Sequence, residues 1–331
     1  MKLKVYFRVD SNSEIGFGHI IRCTAISDIL RDDFSCTFLI KNPSEYLIGE
    51  ISATGANYIV IPESQNILVE AKIITEKYIQ KQDIVLIDGY QFKTEYQEIL
   101  RRSGCNIVYI DDFNDKDYIC DALINNIPGF TEQSFKKKSY TKLYLGTDYA
   151  LLRKEFFNPS LRKIAKKRKT ILVSFGGADI YNLSLKIIQF INKIRPDYSI
   201  NVLIGDAYMH NETLKNISNV KLHHNISAKD VAELIAQSKI CIIPASSILN
   251  EAACVGSKIL VGYFVDNQVQ PYNYFIENQM AIGIGNIHEL TLTLLKTKFE
   301  EVLKADCLIE NQFQKYRFQQ IENIKNIFYQ L

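Results

Sequence analysis

Arg8, Asp10, His19 and Arg22 lie close together in the stretch Arg8-Val9-Asp10-Ser11-Asn12-Ser13-Glu14-Ile15-Gly16-Phe17-Gly18-His19-Ile20-Ile21-Arg22-Cys23. An imidazole titrates near neutral pH, which suits it to moving a proton. Glycines let a backbone come close to a ligand, and a helix start offers free N–H groups to an anion. Together these residue types can bind an anionic group and move a proton beside it. A plain structural turn has the same ingredients, so His19 has two readings, a catalytic base or a helix-start residue. The dinucleotide fingerprint wants a third glycine where Arg22 and its neighbours stand, which argues against a nicotinamide site.

The elements around this stretch must place it. Residues 3–7 alternate as a first strand, and 24–30 have helical apolar spacing, so the motif is strand, glycine loop and helix start. Strands follow at 36–40, 58–61, 83–88 and 106–110, with helical spacing near 44–53, 66–80 and 93–103. Gly104 is placed as the C′ residue of the last of these helices. Weaker strands near 121–124 and 142–145 end the half. Three strands finish in polar tails, Arg8/Asp10, Asp88/Tyr90 and Asp111/Asp112. In a parallel sheet such tails share the carboxyl edge, where ligands bind.

Gly146, Pro159 and a basic run at 162–169 then break the rhythm. The pattern restarts with strands at 170–175, 201–204, 220–223, 239–243 and 258–262. Helices are predicted near 180–194, 228–237, 248–254, 269–278, 287–303 and 308–328. The alternation implies an α/β protein with mostly parallel sheets. The expected division is an N-terminal Rossmann-like domain at 1–148, a linker at 149–169, a second Rossmann-like domain at 170–307 and a C-terminal helix at 308–331.

The chain has 331 residues, 47% apolar, with 39 basic and 37 acidic side chains. That size fits about two domains, and the charge balance argues against a nucleic-acid partner. The basic runs at 136–138 and 162–169 read as solvated surface, so no stable membrane association is expected. No run of apolar residues is long enough to span a bilayer, and the first residues lack a signal-peptide core. Seven cysteines without a C-x-x-C pair fit a reduced, cytoplasmic protein. The five histidines form no ligand-spaced pair, so no metal and no cofactor are expected. His223 and His224 would face opposite sides of a strand.

The chain resembles glycosyltransferase-B-type proteins, in which two Rossmann-like domains face each other across a cleft. Within that superfamily it is similar to the UDP-sugar hydrolases of bacterial pseudaminic acid biosynthesis. The resemblance covers nearly the whole chain. It is carried by the stretch from Arg8 to Arg22, by Asp88-Gly89-Tyr90, by 148–156, by Ser174-Phe175-Gly176-Gly177-Ala178-Asp179, by Ser246-Ser247 with Asn250-Glu251, and by Asp266-Asn267-Gln268.

The resemblance implies hydrolysis of UDP-2,4-diacetamido-2,4,6-trideoxy-β-L-altropyranose, without a metal and with inversion, by water attack at the anomeric carbon. It implies His19 as the base, and Asn267 and Tyr90 beside the reacting sugar. For Asp10 two readings are open, orienting His19 or the water, and bonding within its loop; Arg8 pairs with Asp10 or meets the ligand. The resemblance assigns Gly18, Arg22, Gly176, Gly177, Ser246, Ser247 and Gln268 to the UDP-sugar, Glu251 to the ribose and the Ile226 backbone to the uracil. As residue types alone, Glu251 also suits a helix first turn, Asn267 a turn, and Tyr90 simple packing. Ala245, where many relatives carry glycine, and the stretch 255–264 depart from the pattern. The implied partner is the small-molecule substrate, the implied state a monomer, and the last helix is expected to return to the N-terminal domain. An inverting glycosyltransferase with a lipid or glycan acceptor is the alternative enzyme; a UDP-sugar-binding module without turnover is the non-enzyme alternative.

Overall fold

The computed structural model describes residues 2–10, 18–64, 66–163, 170–205 and 208–331. Gly16 of the glycine loop and residues 164–169 of the basic run lie outside the described residues. The chain divides into two compact units, Met1–Lys154 with Gln319–Leu331, and Glu155–Phe318.

In the first unit β1 (Lys4–Val9), α1 (Gly18–Leu30), β2 (Ser35–Ile40), α2 (Glu45–Ala53), β3 (Asn57–Val60), α3 (Ile67–Lys77), β4 (Ile84–Asp88), α4 (Thr94–Arg102) and β5 (Asn106–Ile110) alternate regularly. The short strands β6 (Asp117–Tyr118), β7 (Ala122–Asn125), β8 (Lys136–Lys137) and β9 (Lys142–Leu145) follow. Among the described residues the main sheet runs β3-β2-β1-β4-β5-β7-β9, and each neighbouring pair is parallel.

Alternation along β1 builds two cores at once. Val5, Phe7 and Val9 pack with Ile20, Cys23 and Ile26 of α1 on one face. Tyr6 packs with Leu39, Val85 and Ile87 against Ala71, Ile74 and Tyr96 on the other. The helix starts are locally encoded. Ser44 accepts from the Leu47 N–H at 3.3 Å, and Asn66 from the Leu68 N–H at 2.8 Å.

The second unit holds β10 (Thr170–Val173), α5 (Leu183–Ile194), β11 (Ser199–Ile204), α6 (Asn211–Lys215), β12 (Val220–His224), α7 (Ala228–Gln237) and β13 (Ile240–Pro244). It continues with α8 (Ser247–Val255), β14 (Lys258–Tyr263), α9 (Val269–Glu277), β15 (Ile282–Asn286), α10 (Leu292–Lys304) and α11 (Cys307–Lys315). Its sheet runs β12-β11-β10-β13-β14-β15, again parallel. Both sheets therefore reverse direction beside their first strand, which leaves a crevice at the carboxyl edge there.

Three of the differences from the sequence expectation have a visible physical cause. Helix α5 starts at Leu183 instead of 180, because the buried Asp179 carboxylate accepts from the Leu183 and Ser184 N–H groups, both at 2.8 Å. Strand β15 was not expected. Its glycines hid it, yet they are needed, since a Cβ on Gly283 would lie 2.2 Å from the Tyr272 hydroxyl. The single helix expected at 308–328 is two, α11 and α12 (Gln320–Tyr329). Between them the buried Tyr316 hydroxyl donates to Asn250 Oδ1 at 2.5 Å, and Arg162 Nη2 donates to the Tyr316 carbonyl at 2.6 Å. The Arg162 guanidinium lies 4.0 Å from the Phe313 ring centre and 3.9 Å from that of Phe318, whose φ is +66°. These contacts fix the chain where the helix would otherwise run on.

Helix α12 belongs to the first unit. Ile324, Ile327 and Phe328 join the core beneath α1, and Lys325 pairs with Asp33 at 3.1 Å. No helix among the described residues is long and apolar enough to cross a membrane.

Candidate active site

The strand order of the first unit places the exit of β1 beside the end of β4, with Val9 opposite Asp88. His19, at the start of α1, therefore meets Asp88. Its Nδ1 lies 2.6 Å from Asp88 Oδ1. Arg22 stands three residues further along α1, on the same helix face. Its Nε donates to Asp88 Oδ2 at 2.6 Å and its Nη2 to Oδ1 at 2.5 Å. Arg22 also reaches Asp112 beyond β5, with Nη1 to Oδ1 at 2.7 Å and Nη2 to Oδ2 at 3.0 Å.

Asp88 is fully buried. Burial alone would raise its pKa, but Arg22 and His19 against it prevail and hold it well below the usual carboxylate range. An ionised Asp88 accepts the Nδ1 proton and so sets the imidazole tautomer, which makes Nε2 the proton-accepting nitrogen. The Tyr90 ring meets the His19 ring edge-on, with centres 4.8 Å apart, and Phe113 meets Tyr90 in turn at 4.9 Å. Burial, reinforced by Asp112, pushes the Tyr90 phenol up to about 12. It is therefore protonated at neutral pH.

Two of the residues read from the sequence meet protein partners of their own. Asp10 is not the carboxylate on His19. Its oxygens take Arg8 Nη1 and Nη2, each at 2.6 Å, and the other edge of the buried Arg8 guanidinium donates to Glu70 at 2.6 and 3.0 Å. The Tyr96 hydroxyl donates to Glu70 at 3.1 Å, and Lys41 pairs with Glu70 as well. Arg8 and Asp10 are thus parts of one buried ion cluster. Arg22, expected on the substrate, has its guanidinium held by Asp88 and Asp112. Those two carboxylates were visible as strand-end tails, but no sequence spacing tied them to His19 or Arg22. Gly18, the first residue of α1, is exposed.

The second unit gathers a second set at the carboxyl edge of its sheet. Gly176 (φ +91°) and Gly177 follow β10. Gly205 N–H donates to the Gly177 carbonyl at 2.9 Å, and a Cβ on Gly205 would lie 3.0 Å from Gly177 Cα. The close approach therefore depends on Gly205 having no Cβ; a Cβ on Gly177 would lie 3.6 Å from Gly205 Cα, an ordinary contact. Ser246, extended and without a side-chain capping bond, precedes α8, which Ser247 begins. Glu251, one turn on, is buried. Ile226 follows Asn225, whose φ is +47°, at the end of β12. Asn267 is exposed after β14, whereas Gln268 is buried and its Oε1 accepts from the Phe264 N–H at 3.1 Å. Gln268 thus holds its own turn. His223 is half-buried with Nε2 2.9 Å from Asn201 Oδ1, and burial lowers its pKa. Among the described residues no group of three His, Cys, Asp or Glu side chains is arranged to hold a metal ion.

The site residues thus form one set on each sheet, His19, Arg22 and Tyr90 on the first and Gly176, Gly177, Ile226, Ser246, Ser247, Glu251 and Asn267 on the second. No protein-family model matches the chain. An uncharacterized protein of Methanocaldococcus jannaschii is 25% identical over 304 residues, which are 87% of this chain and 61% of that protein. UDP-2,4-diacetamido-2,4,6-trideoxy-β-L-altropyranose hydrolase of Campylobacter jejuni is 29% identical over 283 residues, covering 80% of this chain and 93% of the hydrolase. The spore coat polysaccharide biosynthesis protein SpsG of Bacillus subtilis is 26% identical, covering 83% and 82%. The crystal structure of MurG from Acinetobacter baumannii superposes over 99% of this chain with a TM-score of 0.68 at 11% identity. The chain has the two-domain glycosyltransferase-B fold, and in sequence it is a relative of the UDP-2,4-diacetamido-2,4,6-trideoxy-β-L-altropyranose hydrolase.

Proposed function

We propose that this protein hydrolyses UDP-2,4-diacetamido-2,4,6-trideoxy-β-L-altropyranose without a metal ion, inverting the anomeric carbon. The products are UDP and 2,4-diacetamido-2,4,6-trideoxy-L-altrose, which feeds pseudaminic acid synthesis. The observation that carries the reading is the His19–Asp88 pair, with Nδ1 2.6 Å from a buried, ionised carboxylate.

In this reading His19 Nε2 takes a proton from water as the water oxygen bonds to the anomeric carbon. The bond from that carbon to the UDP oxygen breaks, and its electron pair leaves on the phosphate. A positioned base contributes about 10²–10⁴-fold to such a step. UDP is a stable anion and needs charge stabilisation more than a proton. The start of α8 at Ser246 and Ser247 supplies N–H donors and the positive end of the helix dipole. Gly176 and Gly177 allow close approach of the diphosphate, Glu251 holds the ribose hydroxyls and the Ile226 backbone the uracil. Asn267 and the protonated Tyr90 hydroxyl contact the sugar. The reading includes a cytoplasmic monomer, in keeping with seven free thiols.

The second reading is an inverting glycosyltransferase, supported by the fold shared with MurG. One experiment separates them: phosphorus NMR of the UDP-sugar with protein and EDTA, without acceptor, in ¹⁸O-labelled water. Rapid UDP release with the label in the sugar supports the hydrolase. UDP binding without release favours the transferase, and label in the phosphate overturns attack at the anomeric carbon.

A further inference from the structure

We infer that Asp112 is a positioning residue for His19: through Arg22 it sets the charge around the His19–Asp88 pair and keeps Asp88 available to the imidazole. The inference builds on the reading of His19 as the base, but its first test needs no substrate.

The Arg22 guanidinium is shared between two carboxylates. Asp88 takes Nε at 2.6 Å and Nη2 at 2.5 Å; Asp112 takes Nη1 at 2.7 Å and Nη2 at 3.0 Å. Nη2 also lies 3.0 Å from His19 Nδ1, since both nitrogens converge on Asp88 Oδ1. Without Asp112 the Arg22 cation would have Asp88 as its one partner in this cluster, and it would compete with His19 for that carboxylate. With Asp112 the cluster holds two carboxylates against one guanidinium. It carries one net negative charge, which favours the imidazolium formed when His19 takes a proton. After burial, the charge of Asp112 is what raises the Tyr90 pKa, and the Tyr90 ring lies against His19. Asp112 thus acts on both neighbours of the imidazole without touching the imidazole.

Among the described residues the groups around the His19–Asp88 pair come from three elements: Arg22 and Cys23 from α1, Asp88 and Tyr90 from β4 and its exit, and Asp112 from the exit of β5. The other charges at these strand ends are paired among themselves, Arg8 with Asp10 and Glu70, Lys41 with Glu70, and Lys116 with Asp111 and Asp115. Among the described residues Asp112 is therefore the carboxylate whose removal changes the charge felt at His19 while Asp88 stays in place.

The test is a proton NMR titration of the His19 imidazole in the full-length protein, its signals identified by their loss in His19→Asn. Asp112→Asn removes the charge at nearly constant shape. The midpoint for His19 should fall by about one pH unit, as expected for loss of a nearby anion. Asp112→Glu should leave it near that of the parent. Arg22→Gln with Asp112→Asn should move it back up, because the competing cation is gone. In turnover, kcat/KM of Asp112→Asn should fall about tenfold with its acid limb displaced to lower pH, and the double variant should regain part of the loss. An unmoved midpoint in a folded Asp112→Asn protein, or a double variant displaced further than Asp112→Asn, overturns the inference. A displaced midpoint in a protein that releases no UDP from the UDP-sugar leaves the positioning role standing and overturns the hydrolase reading instead.

Discussion

His19 and Asp88 are 69 residues apart in sequence, yet Nδ1 of one lies 2.6 Å from Oδ1 of the other. The carboxylate is completely buried, and its second oxygen is held by Arg22 Nε at 2.6 Å. Asp88 can rotate away from the ring only by breaking charge-assisted bonds, so the imidazole tautomer is set before any ligand arrives.

That geometry makes His19 the residue whose loss should stop the chemistry and spare the binding. His19→Asn should lower kcat by about 10²–10⁴-fold. UDP affinity, measured by calorimetry, should stay within about threefold, because the nucleotide contacts are assigned to the other unit. Unchanged turnover would remove His19 from the mechanism, and UDP binding without turnover in either protein would favour a binding module.

Asp88→Asn and Asp10→Asn separate the carboxylate that meets His19 in the structure from the one the sequence offered for it. The first should cost about as much rate as loss of the base, since an amide no longer holds the Nδ1 proton in place. The second disturbs the Arg8–Glu70 cluster and should act mainly on stability, by about 3 kcal/mol in denaturant unfolding. A larger loss of kcat in Asp10→Asn than in Asp88→Asn would reverse this assignment.

Asp88 should also leave a mark on the pH dependence of folding. Its pKa is depressed in the folded protein, despite burial, by Arg22 and His19. Its contribution is therefore fully present above the unfolded carboxylate value near about 4. It is lost as pH falls from there toward the folded-state value. Urea unfolding between pH 2 and pH 6, values set by that window at about these limits, should show a steeper acid loss in the parent than in Asp88→Asn.

Gly205 tests the second unit. A Cβ there would lie 3.0 Å from Gly177 Cα and 3.1 Å from the Gly177 carbonyl oxygen, both backbone atoms. Gly205→Ala should push the loop after β10 out of place. KM for the UDP-sugar should rise about tenfold or more, with a smaller change in kcat. Unaltered KM would mean that this loop does not meet the nucleotide.

The strand-helix alternation, the two α/β halves and the place of most strands could be read from residue order, because apolar periodicity is a local property. Val5, Phe7 and Val9 alternate with Tyr6 and Arg8 whatever they later meet. His19 could be singled out from residue type and its place at a helix start. Strand β15 escaped because Gly283 and Gly285 dilute its apolar pattern; Gly283 leaves room for Tyr272 of α9, and Gly285 takes a φ of +71°. The break between α11 and α12 escaped because it depends on Arg162, Asn250 and Phe313.

The partner of His19 was likewise beyond local reading. Asp10 was nearer in sequence, and only the strand order, with β1 beside β4 and β5 next, decided between the carboxylates. That order buries Arg8 between Asp10 and Glu70 and leaves Asp88 and Asp112 to Arg22 and His19. Which charges neutralise one another depends on separations of a few ångströms. Residue order determined the elements and the reactive side chains, and the tertiary structure alone decided which carboxylate each of them met.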